Sequence, residues 1–157
     1  MALTNAQLVT LKAALLAETD AGVVAARAIR NDVALTAWCN SNSAQAAWNN
    51  NVSKRDLFEA TDITKFDNLT AGKRDAQYRL EDNAPLDFSR LKMRKAIVDI
   101  WGNTDSVAIL TDLTRFATRA EVYLGGTSAT TNTVTALKLD VPGQVSMNDV
   151  SNALNLP

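Results

Sequence analysis

The sequence predicts a mainly α fold, a helical bundle with a long loop and a short β segment or hairpin near the C-terminus. Apolar residues recur at helical spacing through most of the first 124 residues. After Gly125 the sequence becomes rich in threonine and then β-compatible. With 157 residues and 46% hydrophobic content, the chain can bury the core of a single domain, so we expect residues 1–157 to form one helical domain with 125–145 as an extended interaction loop or arm.

The first helix is predicted over residues 5–18. Thr4 followed by Gln7 forms a capping box, and one helical face carries Leu8, Leu11 and Leu15. We expect Gly22 to break or bend this helix. The alanine-rich segment 23–39 then predicts one or two helices, divided near Asn31 and Asp32.

Residues 39–53 are polar, and their Asn and Ser side chains favour turns, so this segment is predicted to be a loop held by Trp48. Ser53 with Asp56 indicates a short helix through Glu59, and Thr70 is a candidate cap for a helix over 71–82. Pro85 marks a break. Ser89 is expected to open a helix that closes at Gly102, with inward positions Met93, Ile97 and Ile100.

The segment 104–126 gives the strongest helical signal. Steps of four and three residues relate Ile109, Leu113, Phe116, Ala120 and Tyr123. This stripe predicts a long helix over 105–124, the central pillar of the bundle, which Gly125 and Gly126 end. On that prediction, Phe116→Ala costs about 3–5 kcal/mol.

Beyond this helix, residues 126–133 are predicted to form an exposed loop and 134–141 a short strand that stops at the turn pair Pro142 and Gly143. Ser146, with Asp149 three residues later, then caps a final helix that carries Val150 and Leu154.

Composition argues against most catalytic schemes. The chain has no histidine and one cysteine, which excludes His-dependent catalysis, the common zinc sites and an internal disulfide. Cys39 lies beside Trp38 without a basic neighbour, so a buried structural thiol is expected. We therefore predict a protein that is not an enzyme and uses neither a cofactor nor a metal. Its N-terminus has neither a basic leader nor an apolar run of membrane length, and we expect a mature soluble protein of a reducing cytoplasm.

A local excess of basic residues is the one charged feature that suggests a ligand. The net charge is −1, from 16 Lys and Arg against 17 Asp and Glu, so polyanion binding would have to be local. Residues 73–95 hold seven basic and four acidic side chains. A helix-turn-helix using these cations on DNA is one interpretation, and solvated faces with ion pairs are the other. The candidate basic patch is Lys73, Arg74, Lys92, Arg94 and Lys95.

Four segments carry a resemblance to a known family. After LTNAQLVTLKAAL (3–15) come TAGKRDAQYRL (70–80), MRKAIVDIWG (93–102), ATRAEVYLGGTSA (117–129) and NDVSNAL (148–154). Their order and spacing resemble a family of small proteins encoded among the virion genes of tailed bacteriophages. One departure is Gln77-Tyr78, which stands where the family pattern leads us to expect a tryptophan.

The resemblance implies a structural protein of the virion neck. Head-to-tail adaptors of such phages are small helical bundles that form a ring, usually of twelve copies, between the portal protein and adjacent neck or tail proteins. It implies assembly in the host cytoplasm, DNA contact only in passage and no membrane. Head-closure, tail-terminator and minor capsid roles stay open, as does a DNA-binding regulator. The docking arm would present Gly125, Gly126, Thr127, Thr130, Thr131, Leu137, Leu139 and Val141, adding a strand to a partner's sheet.

Overall fold

The computed structural model describes residues 2–138 and 143–157. In chain order the described elements are α1 (Asn5–Ala17), α2 (Ala21–Ala28), α3 (Asp32–Asn40), β1 (Asn42–Trp48), α4 (Lys54–Glu59), α5 (Ile63–Asp67), α6 (Ala71–Asp82), α7 (Leu91–Asp112), β2 (Thr114–Thr118), α8 (Arg119–Tyr123), β3 (Thr127–Thr131), β4 (Val134–Lys138) and α9 (Met147–Asn155). The predicted mainly α class with a β segment near the C-terminus is confirmed at this level.

The described chain divides into two compact units. Unit 1 comprises the described residues of Met1–Gln45, Phe116–Thr127 and Leu139–Pro157, and unit 2 comprises Ala46–Arg115 and Ser128–Lys138. Each unit has its own apolar cluster. The buried residues of unit 1 include Leu11, Leu15, Leu35, Cys39, Val150 and Ala153. Those of unit 2 include Trp48, Leu57, Phe88, Ile97, Trp101, Leu110 and Leu113.

The N-terminal helices of unit 1 begin where side chains cap them. The Thr4 hydroxyl accepts from the Gln7 amide, and the Gln7 side chain accepts from the Thr4 amide, so the predicted capping box is confirmed. Gly22 does not break or bend α1, which already ends at Ala17. It lies inside α2, because the Asp20 carboxylate accepts from the amides of Gly22 and Val23 and starts a new helix there. The predicted division near Asn31 is confirmed, with Asn31 capping α3.

The last helix of unit 1 has the predicted start. Ser146 and Asp149 form a capping box at the beginning of α9, and Val150 is buried beneath it. The Asp149 carboxylate also accepts from the amide of Leu3, at 3.0 Å. The same carboxylate therefore caps α9 and holds the N-terminal segment, although Leu3 and Asp149 are far apart in sequence.

In unit 2, the predicted helix starts are only partly correct. The Ser53 and Asp56 capping box opens α4 as predicted, and α6 follows Thr70, although the Thr70 side chain makes no capping hydrogen bond. Ser89 does not open α7, which begins at Leu91. Gly102 does end the first helical segment, as predicted, because its backbone is non-helical and divides α7 into two helices across a kink. Its φ of 76° turns the backbone, a conformation that favours glycine, and helical structure resumes on the other side.

The predicted pillar over 105–124 is wrong. Helix α7 ends at Asp112, the segment TRFAT forms β2, and Thr118 with Glu121 builds a new capping box that starts α8. Threonine and phenylalanine favour a strand here, and the capping box makes a separate helix. Phe116 is 62% exposed, so it does not belong to an inward stripe and the large stability loss expected for Phe116→Ala is withdrawn.

Two predicted loops are strands. Residues 42–48 form β1 and residues 127–131 form β3, in a sheet with the order β2-β1-β4-β3. Strand β1 pairs in parallel with β4, with Ala47 opposite Leu137. A parallel partner some ninety residues along the chain is not visible in local composition, which is why the Asn and Ser content of 42–48 misled the prediction.

Candidate interaction surfaces

Strands β3 and β4, with the connection Asn132–Thr133, form a hairpin, since two residues can join only antiparallel neighbours. This hairpin holds most of the predicted docking arm. Gly125, Thr127 and Thr130 are exposed and Gly126 is half-buried. Thr131 and Leu137 are buried, whereas Leu139 and Val141 lie outside the described residues. For the described part, the prediction of an extended arm is therefore wrong, because the arm contributes to a core.

Buried Arg94 holds the hairpin against α7. Its guanidinium donates from Nε to Thr131 Oγ1 at 2.8 Å. Nη1 donates to the carbonyls of Phe88 and Ser89, each at 2.7 Å. Arg94 is 2% exposed. This burial lowers the pKa of its guanidinium, although the negative charge of Asp87 acts in the opposite direction. A cation buried this deeply needs such partners, and the hairpin supplies one of them.

Trp48, which lies on β1, also holds the hairpin. The Arg94 guanidinium carbon lies 4.7 Å from the centroid of the Trp48 ring, a cation–π arrangement. The Trp48 Nε1 donates to the carbonyl of Ala129 at 2.9 Å. Arg94 and Trp48 thus contact each other, and each donates a hydrogen bond to strand β3.

The tip of the hairpin is fixed at the middle of α7. Asn132 has φ 55°, the left-handed conformation that Asn tolerates better than most residues. Its Nδ2 donates to the carbonyl of Asn103 and to Ser106 Oγ, the second at 3.2 Å. Asn103 directly follows the turn at Gly102, so this turn and the hairpin tip meet at one place.

A groove of about 390 Å³ runs beside this contact. Among its lining residues are Lys95 and Leu91 from α7 and Thr130, Thr131 and Asn132 from the hairpin. Residues of the predicted docking arm and of the predicted basic patch therefore line one surface of unit 2. The exposed residues of α7 that line it are Leu91, Lys95, Asp99 and Asn103, so one lysine faces one carboxylate-bearing residue of the same helix.

The predicted basic patch is not one cationic surface. Arg94 is buried, so its assignment to a surface patch is wrong. Arg74 donates to the carbonyl of Asp67 at 3.1 Å. Lys73 is exposed on α6, and Lys92 and Lys95 are exposed on α7. Two further cations of this segment are in ion pairs, Arg79 with Asp75 at 2.5 Å and Arg90 with Asp87 at 3.0 Å.

In unit 1, the side of α1 opposite its core residues is apolar. We call Ala6, Val9, Ala13 and Leu16 the α1 face, and Ala21, Val24, Ala25 and Ala28 the α2 face. All eight residues are exposed, and each set lies on the side of its helix opposite the buried residues. Of the exposed residues between Ala2 and Asn40, only Asp20 and Arg30 are charged. Water is a poor partner for such faces.

The charged residues within α1 and α2 are kept off these faces. Lys12, the charged residue of α1, donates from Nζ to the carbonyl of Leu156 at 2.5 Å. Arg27, the charged residue of α2, donates from Nη1 to the carbonyl of Leu15 at 2.5 Å. Both side chains are half-buried and bind backbone oxygens of their own unit. The outward sides of both helices therefore stay free of charge.

In unit 1, hydrogen bonds connect the polar side-chain groups of Glu18, Tyr123 and Trp38. Tyr123 donates to Glu18 Oε2 at 2.7 Å and accepts from Trp38 Nε1 at 3.0 Å. Burial, reinforced by Glu18, raises the pKa of Tyr123 to about 12, and the hydrogen bond from Tyr123 lowers the pKa of Glu18. Arg119 stacks on the Trp38 ring, 3.9 Å from its centroid. At neutral pH neither Tyr123 nor Glu18 is poised to exchange a proton.

Cys39 is a buried thiol, as predicted. It is fully buried in the unit 1 core, and this burial raises its pKa to about 11. A thiol with so high a pKa carries almost no thiolate at neutral pH, so it is a poor nucleophile.

Sequence reasoning missed two signals that were present. Arg94 falls at the helical spacing of the buried Ile97 and Trp101, which places it on the inward side of α7. Helix α1 carries apolar residues both on its core side and on the opposite side, a pattern typical of helices that are covered on both. Trp48 gave no local signal, because its role depends on the pairing of β1.

The comparisons found no family model, no curated protein and no solved structure that matches the chain. Within 2–138 and 143–157, no helix is long and apolar enough to cross a membrane. The same described ranges contain no group of three or more Cys, Asp or Glu side chains placed to hold a metal ion.

Proposed function

We propose that the chain is a structural subunit of the neck of a tailed bacteriophage, a head-to-tail adaptor that forms a ring between portal and tail. It acts by binding proteins and catalyses no reaction. The phage setting comes from the sequence resemblance, as do the helical-bundle body, the ring of twelve copies and the assembly in the host cytoplasm. Head-closure, tail-terminator and minor capsid positions belong to the same structural class.

The observation that carries this proposal is the hairpin of β3 and β4, which is held by hydrogen bonds from Arg94, Trp48 and Asn132. Strand β3 forms one edge of the four-stranded sheet, and its residues Thr127, Ser128 and Thr130 are exposed. An edge strand presents backbone donors and acceptors to which another chain can add a strand. Hydrogen bonds from Arg94, Trp48 and Asn132 hold the hairpin in place within the fold, so binding would not have to order it first. Such an edge suits attachment to a portal or tail protein.

The DNA-binding alternative has less support. Its strongest form needs the seven cations of residues 73–95 to reach phosphates. Arg94 is buried, and Arg79 and Arg90 already pair with acidic side chains. Lys73, Lys92 and Lys95 are the exposed lysines of this segment, too few for strong phosphate binding.

The test is binding to the portal ring encoded near this chain in its genome. Alone, the chain is expected to be a monomer or weak oligomer, and with the portal ring it should assemble into a complex of defined mass in native mass spectrometry. Ser128→Lys with Thr130→Lys should abolish attachment, because charged side chains on an edge strand block strand addition. Thr133→Lys, in the hairpin connection, is the matched control and should bind normally.

Two results would overturn the proposal. One is a chain that never joins the portal ring or the next neck protein at any concentration tested. The other is tight binding of duplex DNA whose affinity falls steeply with salt and is lost in the variant Lys92→Glu with Lys95→Glu. That second result would establish the regulator instead.

A further inference from the structure

We propose that the α1 face and the α2 face are the two halves of one contact between neighbouring copies of this chain. In this contact α1 of one copy packs against α2 of the next copy. The inference deepens the proposed function, on which it rests for the ring, by assigning the surface through which adjacent subunits touch. It concerns unit 1 alone and uses no residue of the hairpin.

Both faces are built to be covered by protein. Val9 is 53% exposed, Leu16 56% and Val24 42%, and no charged side chain interrupts these residues on either face. Single exposed apolar residues are ordinary, but an entire helix side without charge is not. The core of a protein interface is depleted of charge in the same way.

The spacing on each helix suits helix-on-helix packing. Ala6, Val9, Ala13 and Leu16 follow steps of three, four and three residues, which is the periodicity of a seam between two helices. The α2 face repeats it over a shorter length with Ala21, Val24 and Ala28. Alanine at alternate positions lets two helix backbones approach closely, and the larger residues fill the space between them.

The charge pattern identifies the partner as a second copy. A face without charges must meet another uncharged face, because burying an unpaired charge is costly. Helices α1 and α2 each carry such a face, so each copy both offers a face and needs one. The outward sides of α4 and α7 carry Lys54, Arg55, Lys92 and Lys95 and do not fit this requirement. Joining two different faces of identical chains is a head-to-tail contact, which propagates into a ring or filament.

The contact should be weak between free chains. Helix α1 has 13 residues and is therefore about 20 Å long, at about 1.5 Å per residue. Four side chains along it cover well under the roughly 800 Å² per partner that a stable interface buries. Copies held side by side on a template would bind each other at a high effective concentration. The lone chain is thus expected to stay monomeric when dilute.

The experiment is cross-linking with introduced cysteines. Cys39 is buried with a raised pKa, so the natural chain provides an unreactive background. The variants are Val9→Cys, Val24→Cys and the double variant, treated at high protein concentration with a bismaleimide that has a flexible spacer. A mixture of the two single variants should give covalent dimers, and the double variant should give a ladder of multimers. Leu91→Cys, an exposed apolar position on α7, is the matched control and should give neither.

Each remaining outcome has a defined meaning. Dimers from Val9→Cys alone, in the same yield as from the mixture, would replace the head-to-tail contact by a two-fold contact of α1 with itself. Yields no higher than those of Leu91→Cys would refute the contact altogether. Leu16→Glu in the double variant should reduce the ladder at least tenfold while circular dichroism remains unchanged. A ladder without portal binding would retain this contact and reject the adaptor role, and portal binding without a ladder would do the reverse.

Discussion

The two units differ in where they place charge. In unit 2, exposed charged side chains occur on each of α4, α5, α6 and α7, while buried Arg94 holds the hairpin. In unit 1, the outward sides of α1 and α2 carry none, and the charged side chains of these helices bind backbone oxygens. The charged outer surface of unit 2 is solvated by water. The outward sides of α1 and α2 instead have the charge-poor composition found in the cores of protein interfaces, which is why we propose a protein contact there.

This difference separates two kinds of binding element. In the proposed function, the edge strand of the hairpin would bind through its backbone, and Arg94, Trp48 and Asn132 hold the hairpin in place. In the proposed contact between copies, the α1 and α2 faces would bind through apolar side chains on helices that the unit 1 core already stabilises. Substitutions beneath the hairpin should therefore change stability, whereas substitutions on the helix faces should change assembly. Four predictions test that distinction.

The largest effect is expected for Arg94→Met. Removing the guanidinium leaves the carbonyls of Phe88 and Ser89 and the hydroxyl of Thr131 without their donor. The free energy of unfolding should fall by about 3–5 kcal/mol in total, because each buried acceptor left without its donor costs about 1–3 kcal/mol. Urea denaturation measures it. Lys95→Met is the control on the same helix, and an equal loss in both variants would contradict the role of Arg94.

The next effect distinguishes β2 from the helix that the sequence predicted. Leu113→Ala should cost about 2–5 kcal/mol, because Leu113 is buried in the unit 2 core. Phe116→Ala should cost about 1 kcal/mol or less, because Phe116 is mostly exposed. Thermal melts of the two variants are compared directly. A larger loss for Phe116→Ala would restore the inward stripe and refute the described β2.

A smaller effect is expected for Asp149→Asn in unit 1. Burial raises the pKa of Asp149, but hydrogen bonds from Ser146 and the Leu3 amide outweigh it, so the pKa lies below its ordinary value of 3.8. The resulting stability is present above the unfolded-state pKa and is lost as pH falls through the folded-state pKa. Asp149→Asn should therefore cost about 1–2 kcal/mol at pH 7.

The same variant predicts a pH profile. The difference in unfolding free energy between the natural chain and Asp149→Asn should be constant from pH 7 to about pH 5 and shrink below pH 4. Urea titrations at several pH values measure this difference. A difference that grows on acidification would mean that the carboxylate is not stabilised in the folded protein.

The smallest effect on stability is expected for Leu16→Gln. Leu16 is exposed on the α1 face, so its replacement should change the free energy of unfolding by no more than about 0.5 kcal/mol. Assembly on the portal ring should nevertheless fall sharply. Leu15→Gln, one residue away and fully buried, should instead destabilise the fold. Normal assembly of Leu16→Gln would remove the α1 face from the account.

Local capping signals were the most reliable part of the sequence. Thr4 with Gln7, Ser53 with Asp56 and Ser146 with Asp149 each begin a helix where the sequence predicted one. A capping box is complete within four residues, so nothing remote can alter it. The apolar spacing of α1 and the burial of Cys39 were predictable for the same reason.

The errors occurred where remote partners decide the structure. Strand β1 exists because β4 pairs with it, and Thr131 is buried because Arg94 lies beneath the hairpin. The apolar spacing of 109–123 continued across β2 only by coincidence, since the Thr118 capping box starts a different helix. The charge-poor faces of α1 and α2 can be recognised only when it is known which charged residues are exposed, and the sequence alone does not show exposure.

A cryo-electron-microscopy map of the assembled neck tests the central claim most directly, since it shows what covers each outward surface of this chain. We predict a ring in which α1 of each copy lies against α2 of the next, while strand β3 pairs with a strand of a different protein. A map in which the α1 and α2 faces point into solvent, or in which this chain is absent from the neck, would contradict it.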